Sequence, residues 1–277
     1  MAVKKDTHPI LVPYDFTPVS DFALSHAVHF AKLSRKTIIL LNVLDEATQK
    51  LLKRSNKMEQ FLKDNLDAIC KKNTKKIKVQ INYLIKKTDL LYIRDIAKDI
   101  KASMMFIGID QPHTLASKTL RMIGTSPCPV YVVQGNIEWR GAKMIVFPVD
   151  SYEETRQKIS CTLKIAKFTG ATVRLFSINI RDKERKYIHN IRVKQIEKLL
   201  EENEIPFITD LAKRDEKYFP DELQEYAKEN DADLFILMKT PRLYFNNLFV
   251  NPIDKKVLLN SQNIPSVYIN PRDVGTH

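Results

Sequence analysis

Cysteine is scarce in this chain: Cys70, Cys128 and Cys161 stand among 277 residues with no C-x-x-C spacing. An odd number of thiols so placed argues against a disulfide framework and against a zinc site, and a reducing compartment fits best. Long apolar runs are missing too. No stretch approaches the roughly 18 consecutive apolar residues of a membrane span. The start, MAVKKDTHPI, is basic but has no apolar export core behind it. The expectation is a cytoplasmic protein with no membrane contact. Several catalytic signatures are absent as well: there is no G-x-S-x-G elbow, no Walker glycine loop and no H-E-x-x-H.

The composition that remains is globular, with 44% apolar and 28% charged residues, and the length suits two domains of ordinary size. A net charge of +12 draws the protein toward anions. Lysine and arginine are nevertheless scattered over both halves. The densest run is KKNTKKIK, Lys71 to Lys78. It reads as a solvated loop between a helix and a strand, since no aromatic residues are interleaved for base stacking. Nucleic acid is thus an unlikely partner; that reading would predict affinity falling steeply with salt.

The chain is organised around ILVPYD at Ile10 to Asp15, which returns as IVFPVD at Ile145 to Asp150. The offset of 135 also carries Ala31-Lys32 onto Ala166-Lys167 and Thr37 onto Thr172. A register kept across a helix and a strand indicates a duplicated domain. The expected division is residues 1–135, a linker over 136–141 that holds the single tryptophan, and residues 142–277.

In the first copy, Ile10 to Val12 reads as a strand closed by Pro13. Thr17-Pro18 starts a helix ending near Ser34, with Phe22, Ala23, Ala27, Phe30 and Ala31 on its apolar face. Thr37 to Leu44, almost continuously apolar, suits a strand covered on both faces. Met58, Phe61, Leu62, Leu66 and Ile69 form a helical stripe, and Ile77 to Ile85 a strand. Asp89 to Ile100 is a helix with Leu90, Ile93, Ile96 and Ala97 buried; Met104 to Ile109 is a strand, Thr114 to Thr125 a helix and Val130 to Val133 a strand.

The second copy predicts strands at Met144 to Val149, Thr172 to Ile178, Ile205 to Ala212, Leu234 to Met238 and Val267 to Ile269. Helices start near Tyr152, Lys183, Asp221 and Asn251, the first supported by a Ser151/Glu154 capping box. Near the end the offset falls to 130, because Ala97, Lys98 and Ala102 match Ala227, Lys228 and Ala232. Such alternation forces right-handed crossovers and an α/β open parallel sheet in each copy, with ligands at the carboxyl ends of the strands. Asp15, Val43 and Gly108 then surround one crevice.

V-P-x-D-F-[ST] at Val12 to Thr17, the helix ending in A-K, the apolar second strand and C-P-V-Y-V at Cys128 to Val132 together resemble the universal stress protein family in its tandem, two-domain form. The resemblance implies two five-stranded, adenine-nucleotide alpha-hydrolase-like domains of strand order 3-2-1-4-5, paired through their fifth strands. One chain would then mimic the family's homodimer, with further association of two chains as a second expectation. ATP-binding relatives place adenine against the proline and aspartate after the first strand and against the end of the second. By that resemblance the candidates are Pro13, Tyr14, Asp15 and Val43 in the first copy and Pro148, Asp150 and Ile178 in the second.

The family's phosphate loop, G-x2-G-x9-G-[ST], is not kept. In the first copy Gly108 fits its first place, Gln111 the second, and Ala116 with Ser117 the last two, after a deletion of five residues. In the second, Met238, Pro241, Asn251 and Pro252 fill the four places. Side chains there keep a phosphate off the backbone, and Pro252 removes an amide donor. No resident cofactor is expected, with ATP or AMP conceivable in the first copy alone. Asp15 and Asp150 act either as ligand contacts or as turn-forming caps for the helices behind them.

His26 and His29 stand three apart on the first helix but lack a third metal ligand, so a packed or exposed pair is expected. Glu153 and Glu154 suit the positive end of a helix dipole. RLYFNNLFV, residues 242–250, is either core for the fourth helix or an apolar surface for a partner or ligand. Neither SGG-x-D nor H-x-G-H follows the first strand, which counts against a ligase or nucleotidyltransferase. The leading expectation is a non-enzymatic stress-response module binding an unknown protein or small molecule; the alternative is a nucleotide switch or weak ATPase using Asp15, Gly108 and Ser117.

Overall fold

The computed structural model describes residues 8–46, 49, 56–110, 117–150, 155–239 and 252–271. The chain divides into two units, Met1–Trp139 and Arg140–His277.

The first unit runs β1 (Ile10–Pro13), α1 (Pro18–Ser34), β2 (Ile38–Leu44), α2 (Asn56–Ile77), β3 (Ile81–Lys87), a 3-10 turn over Leu90–Tyr92, α3 (Ile93–Asp99), β4 (Met104–Ile109), α4 (Ser117–Thr125) and β5 (Val130–Gln134). Its strands are parallel in the order β3-β2-β1-β4-β5. The second unit repeats the plan with β6 (Met144–Val149), α5 (Thr155–Thr169), β7 (Thr172–Ser177), α6 (Lys183–Glu202), β8 (Phe207–Leu211), a 3-10 turn over Glu216–Tyr218, α7 (Phe219–Glu229), β9 (Leu234–Met238), α8 (Pro252–Leu258) and β10 (Ser266–Ile269). Here the order is β8-β7-β6-β9-β10, again parallel. Register repeats as well as order. Val12 pairs with Leu40 where Phe147 pairs with Leu175, and Leu11 with Met105 where Val146 pairs with Phe235.

Local chemistry accounts for these elements. Thr17 holds the extended conformation of an N-cap and accepts from the Ser20 amide, while Pro18 fixes the first turn of α1. Ala23, Ala27, Phe30 and Ala31 are then buried against the sheet, where Phe30 meets Phe106 and Phe106 stacks on Tyr131 at 4.5 Å. Ile10, Leu11 and Val12 are fully buried, each contributing roughly 1.5–3 kcal/mol.

Three expectations need correction. Lys71 to Ile77 is not a loop: α2 continues through it, so β3 starts at Ile81 instead of Ile77. Cations are favoured in a helix's last turns, where the macrodipole is negative, and the run extends the helix for that reason. Phe61, placed on the buried stripe, is 65% exposed, and Leu90, placed on the inner side of a helix, is 41% exposed because it lies in the 3-10 turn before α3. Residues 114–116, the Ser151/Glu154 capping box and residues 242–250 lie outside the described residues.

Candidate functional site

The central position of β1 and of β6 puts the predicted residues at the carboxyl ends of neighbouring strands. In the first unit Pro13 closes β1, Tyr14 and Asp15 follow it, Val43 lies near the end of β2 and Gly108 near the end of β4. In the second, Pro148 lies in β6, Asp150 just after it, and Ile178 just after β7, its amide donating to Val149 O at 2.9 Å. Ser117 opens α4, but its side chain lies outside the described residues, as do Gln111, Ala116, Pro241 and Asn251 entirely.

Asp15 is a cap. Its Oδ1 accepts from the Thr17 amide at 3.1 Å and from Thr17 Oγ1 at 2.6 Å, fixing the residue that in turn caps α1. Tyr14 turns inward, and its hydroxyl donates to Asp21. Burial first, and then that bond, raise its pKa above the usual phenol value. Asn42 is buried on β2 with Nδ2 donating to Tyr14 O at 2.8 Å, which ties the ends of β1 and β2 together. Its Oδ1 has no partner among the described residues.

Gly108 has a packing reason. A Cβ built there would stand 2.0 Å from the carbonyl oxygen of Val19, in the first turn of α1. Only glycine lets that helix lie against β4, so its presence follows whether or not phosphate binds nearby.

The second unit fills the corresponding place with different groups. Lys158, on α5 at the position of Ala23, is only 5% exposed; its Nζ donates to Pro148 O and lies 4.3 Å from the Phe147 ring centre. Ser177, at the position of Asn42, shares a 2.7 Å hydrogen bond with His189 Nε2. Burial lowers the His189 pKa and Arg192 adds to that, against the opposing influence of Asp150 and Glu216. His189 Nδ1 is buried without a hydrogen-bond partner among the described residues. Ser177 and His189 make the contact of a nucleophile with its base, yet both are buried, so the pair holds α6 on β7.

Asn42, Lys158, Ser177 and His189 are absent from the sequence-derived candidates. Asn42 is the one polar side chain in IILLNVL, and aligning the copies at offset 135 places Ser177 beside it and a lysine opposite Ala23. That alignment is the signal that could have found three of the four. His26 and His29 are both bonded to carbonyls. His26 Nε2–H donates to Ile137 O at 2.8 Å, and His29 Nδ1–H to Ser25 O at 2.8 Å. Trp139 meets the His26 ring edge-on and stacks on His29, which explains the single tryptophan. Burial pushes the His26 pKa down to about 4. Among the described residues no three His, Cys, Asp or Glu converge as metal ligands, and no helix is long and apolar enough to cross a membrane.

Residues 7–134 match the sequence model of the universal stress protein family. No curated protein sequence matches the chain significantly. Among solved structures the chain is similar to a universal stress protein from Archaeoglobus fulgidus DSM 4304, at 11% identity over 96% of this chain and 99% of that one, with a TM-score of 0.78. It is also similar to a functionally unknown protein from Pseudomonas aeruginosa PAO1 (15% identity, 97% and 94% covered, TM-score 0.58). A third likeness is to the cytoplasmic domain of a prokaryotic cation chloride cotransporter (11% identity, 94% and 94% covered, TM-score 0.58). At these identities the likenesses are of fold. Residues 7–134 thus carry a universal stress protein family domain, and the second unit repeats that domain's strand order and register.

Proposed function

We propose that this protein is a non-enzymatic binding module of the cytoplasmic stress response, holding a protein partner or a small ligand, and that neither crevice takes ATP in the family's manner. One observation carries this reading: polar groups at the carboxyl ends of the central strands and of a neighbouring strand are already engaged within the chain. Asp15 is held by Thr17, Pro148 O by Lys158, and Ser177 by His189. Groups held in this way are less available to a nucleotide entering the crevices. The sequence supports the same reading, since Gln111, Pro241 and Pro252 stand where a phosphate loop needs bare backbone or a free amide.

The test is calorimetric titration of the full chain with AMP, ADP and ATP plus magnesium, with inorganic tripolyphosphate as a base-free control. The expected result is no heat from AMP at millimolar concentration and ATP bound no more tightly than tripolyphosphate. A saturable AMP heat, or a clear preference for ATP over tripolyphosphate, would overturn the proposal.

A second reading, a nucleotide-responsive switch in the first unit, draws on Asn42. Its Oδ1 is a buried acceptor without a partner among the described residues, beside the end of β1. An amino-bearing base would satisfy it. The AMP titration separates the two readings, and Asn42→Leu would abolish an AMP heat that arises from this contact.

A further inference from the structure

The carboxyl-end crevices are not where the first unit's cavity of about 640 Å3 lies. That cavity opens at the opposite end of the sheet, where α1 and α2 finish and β2 and β3 begin. Its wall carries Lys32, Arg35, Lys36 and Lys78, with Thr37 and Gln80 as polar neighbours and no carboxylate. Lys36 Nζ donates to His8 O at 3.3 Å. Lys32, Arg35 and Lys78 make no ion pair with any described residue. Cations lining one concavity repel each other, and the positive field of Lys32, Arg35 and Lys78, which no described carboxylate offsets, is relieved by a multiply charged anion.

The bland explanation is that cations sit at helix carboxyl ends to offset the macrodipole. The second unit argues against that as the whole account, since the same helices end there with other residues. Arg35, Lys78 and Lys101 each follow a helix in the left-handed conformation, with φ of 55°, 60° and 51°. Their counterparts in the second unit, at offsets of 135, 126 and 130, are Gly170, Glu204 and Asp231, with φ of 65°, 57° and 48°. Three basic residues thus face one glycine and two acids in the same backbone geometry. That conformation favours glycine, and the dipole is equally negative in both units. Of the four cationic wall positions the second unit keeps only Lys167, bonded to Asn203 at 2.8 Å; Lys143, nearby, is bonded to Thr169 O.

We propose that this basin in the first unit binds a small soluble molecule carrying two or more phosphate groups. The cavity volume falls within the range of small-molecule sites, and Arg35 supplies a planar fork suited to phosphate oxygens while the lysines act as point charges. Thr37 and Gln80 add neutral donors. No aromatic side chain lines the cavity, so nothing there stacks a base, and a single-stranded nucleic acid is the less suitable polyanion.

Inorganic tripolyphosphate titrated into the full chain by calorimetry, at about 0.15 M salt, is the direct test. A saturable one-to-one heat is expected. The double variant Arg35→Gly/Lys78→Gly should weaken it roughly tenfold or more while leaving the thermal midpoint unchanged or raised, because glycine suits both left-handed positions. Lys183→Gln/Lys186→Gln, which removes the same charge from exposed sites on α6, should change affinity by less than about twofold. Absence of heat with the wild type, or equal weakening by the two double variants, would overturn the proposal. So would tighter binding to phosphoinositide vesicles or to a single-stranded oligonucleotide than to tripolyphosphate, since the basin would then serve a membrane or a polymer.

Discussion

Asn42 and Ser177 occupy the same place in the two units, at the carboxyl end of the strand beside the central one, yet they do different work. Asn42 fastens the adjacent strand by donating to Tyr14 O, whereas Ser177 fastens the next helix through His189. Ala23 and Lys158 differ in the same way: the first is a small filler under the sheet, the second a buried cation on a β6 carbonyl. Duplication kept the backbone register and let the crevice chemistry drift. What survives in both units is what the backbone needs, and a surviving residue is therefore weak testimony to a ligand.

Gly108→Ala should break that likeness most. The added methyl meets Val19 O inside contact distance, and either α1 or β4 must shift. Overpacking of this severity costs about 3 kcal/mol or more. Met238, half-buried at the matching place in β9, tolerates Met238→Ala for less than about 2 kcal/mol. Chemical denaturation of both variants checks the contrast. A Gly108→Ala protein as stable as wild type would return the glycine to the ligand account.

Acid should act next most strongly, through His26. Its folded pKa of about 4 lies below the ordinary value of 6.5, so folding favours the neutral ring. That contribution is complete above pH 6.5 and is lost as pH falls toward 4, because the unfolded chain binds the proton first. The difference corresponds to about 3 kcal/mol. Cys161 holds the matching position in α5, and burial pushes its thiol up to about 12, so it does not titrate in this window. Stability measured at pH 6.5 and 4.5 should show a smaller loss in His26→Phe than in wild type. The residual slope includes His189, whose pKa burial also lowers. Equal slopes in the two proteins would remove His26 as the cause.

Legibility in the sequence followed the range of the forces involved. Strand order was readable because alternating apolar runs and helices admit few topologies, and β4, β6 and β9 begin and end where their apolar runs do. Helix ends that rest on charge were harder: Lys71 to Ile77 is polar enough for a loop and helical because the dipole welcomes it. Phe61 had the right spacing for burial but the wrong surroundings, since periodicity names a face without saying whether anything covers it. The candidate site was legible only as a location. Lys158 and His189 reach it from helices whose contacts with the strands appear only on folding, and the basic basin joins Lys32 to Lys78 across 46 positions of sequence.

Exchanging the crevice bonds gives a more moderate effect. Ser177→Ala leaves His189 Nε2 buried without its partner, which costs about 1–3 kcal/mol. Asn42→Ser brings the second unit's residue into the first, where no histidine is bonded to it and the Tyr14 carbonyl loses its donor; about 1 kcal/mol is expected. If the two polar groups were interchangeable fillers, both substitutions would be near neutral in urea titrations.

Asp15 offers the smallest effect and the finest discrimination. Its carboxylate is exposed and, among the described residues, hydrogen-bonded to Thr17, so Asp15→Ala removes a turn that positions the N-cap of α1 and should cost roughly 0.5–1 kcal/mol. Asp15→Asn keeps an acceptor oxygen for Thr17 and should stay within about 0.5 kcal/mol of wild type. A carboxylate kept for a ligand behaves differently, because its charge matters to the ligand and its loss scarcely affects folding. Equilibrium unfolding of the two variants, followed by AMP titration, therefore separates the roles. A stability loss in Asp15→Ala that Asp15→Asn restores assigns the residue to the helix, whereas unchanged stability in both would leave the crevice, and not α1, as the reason for an acid at the end of β1.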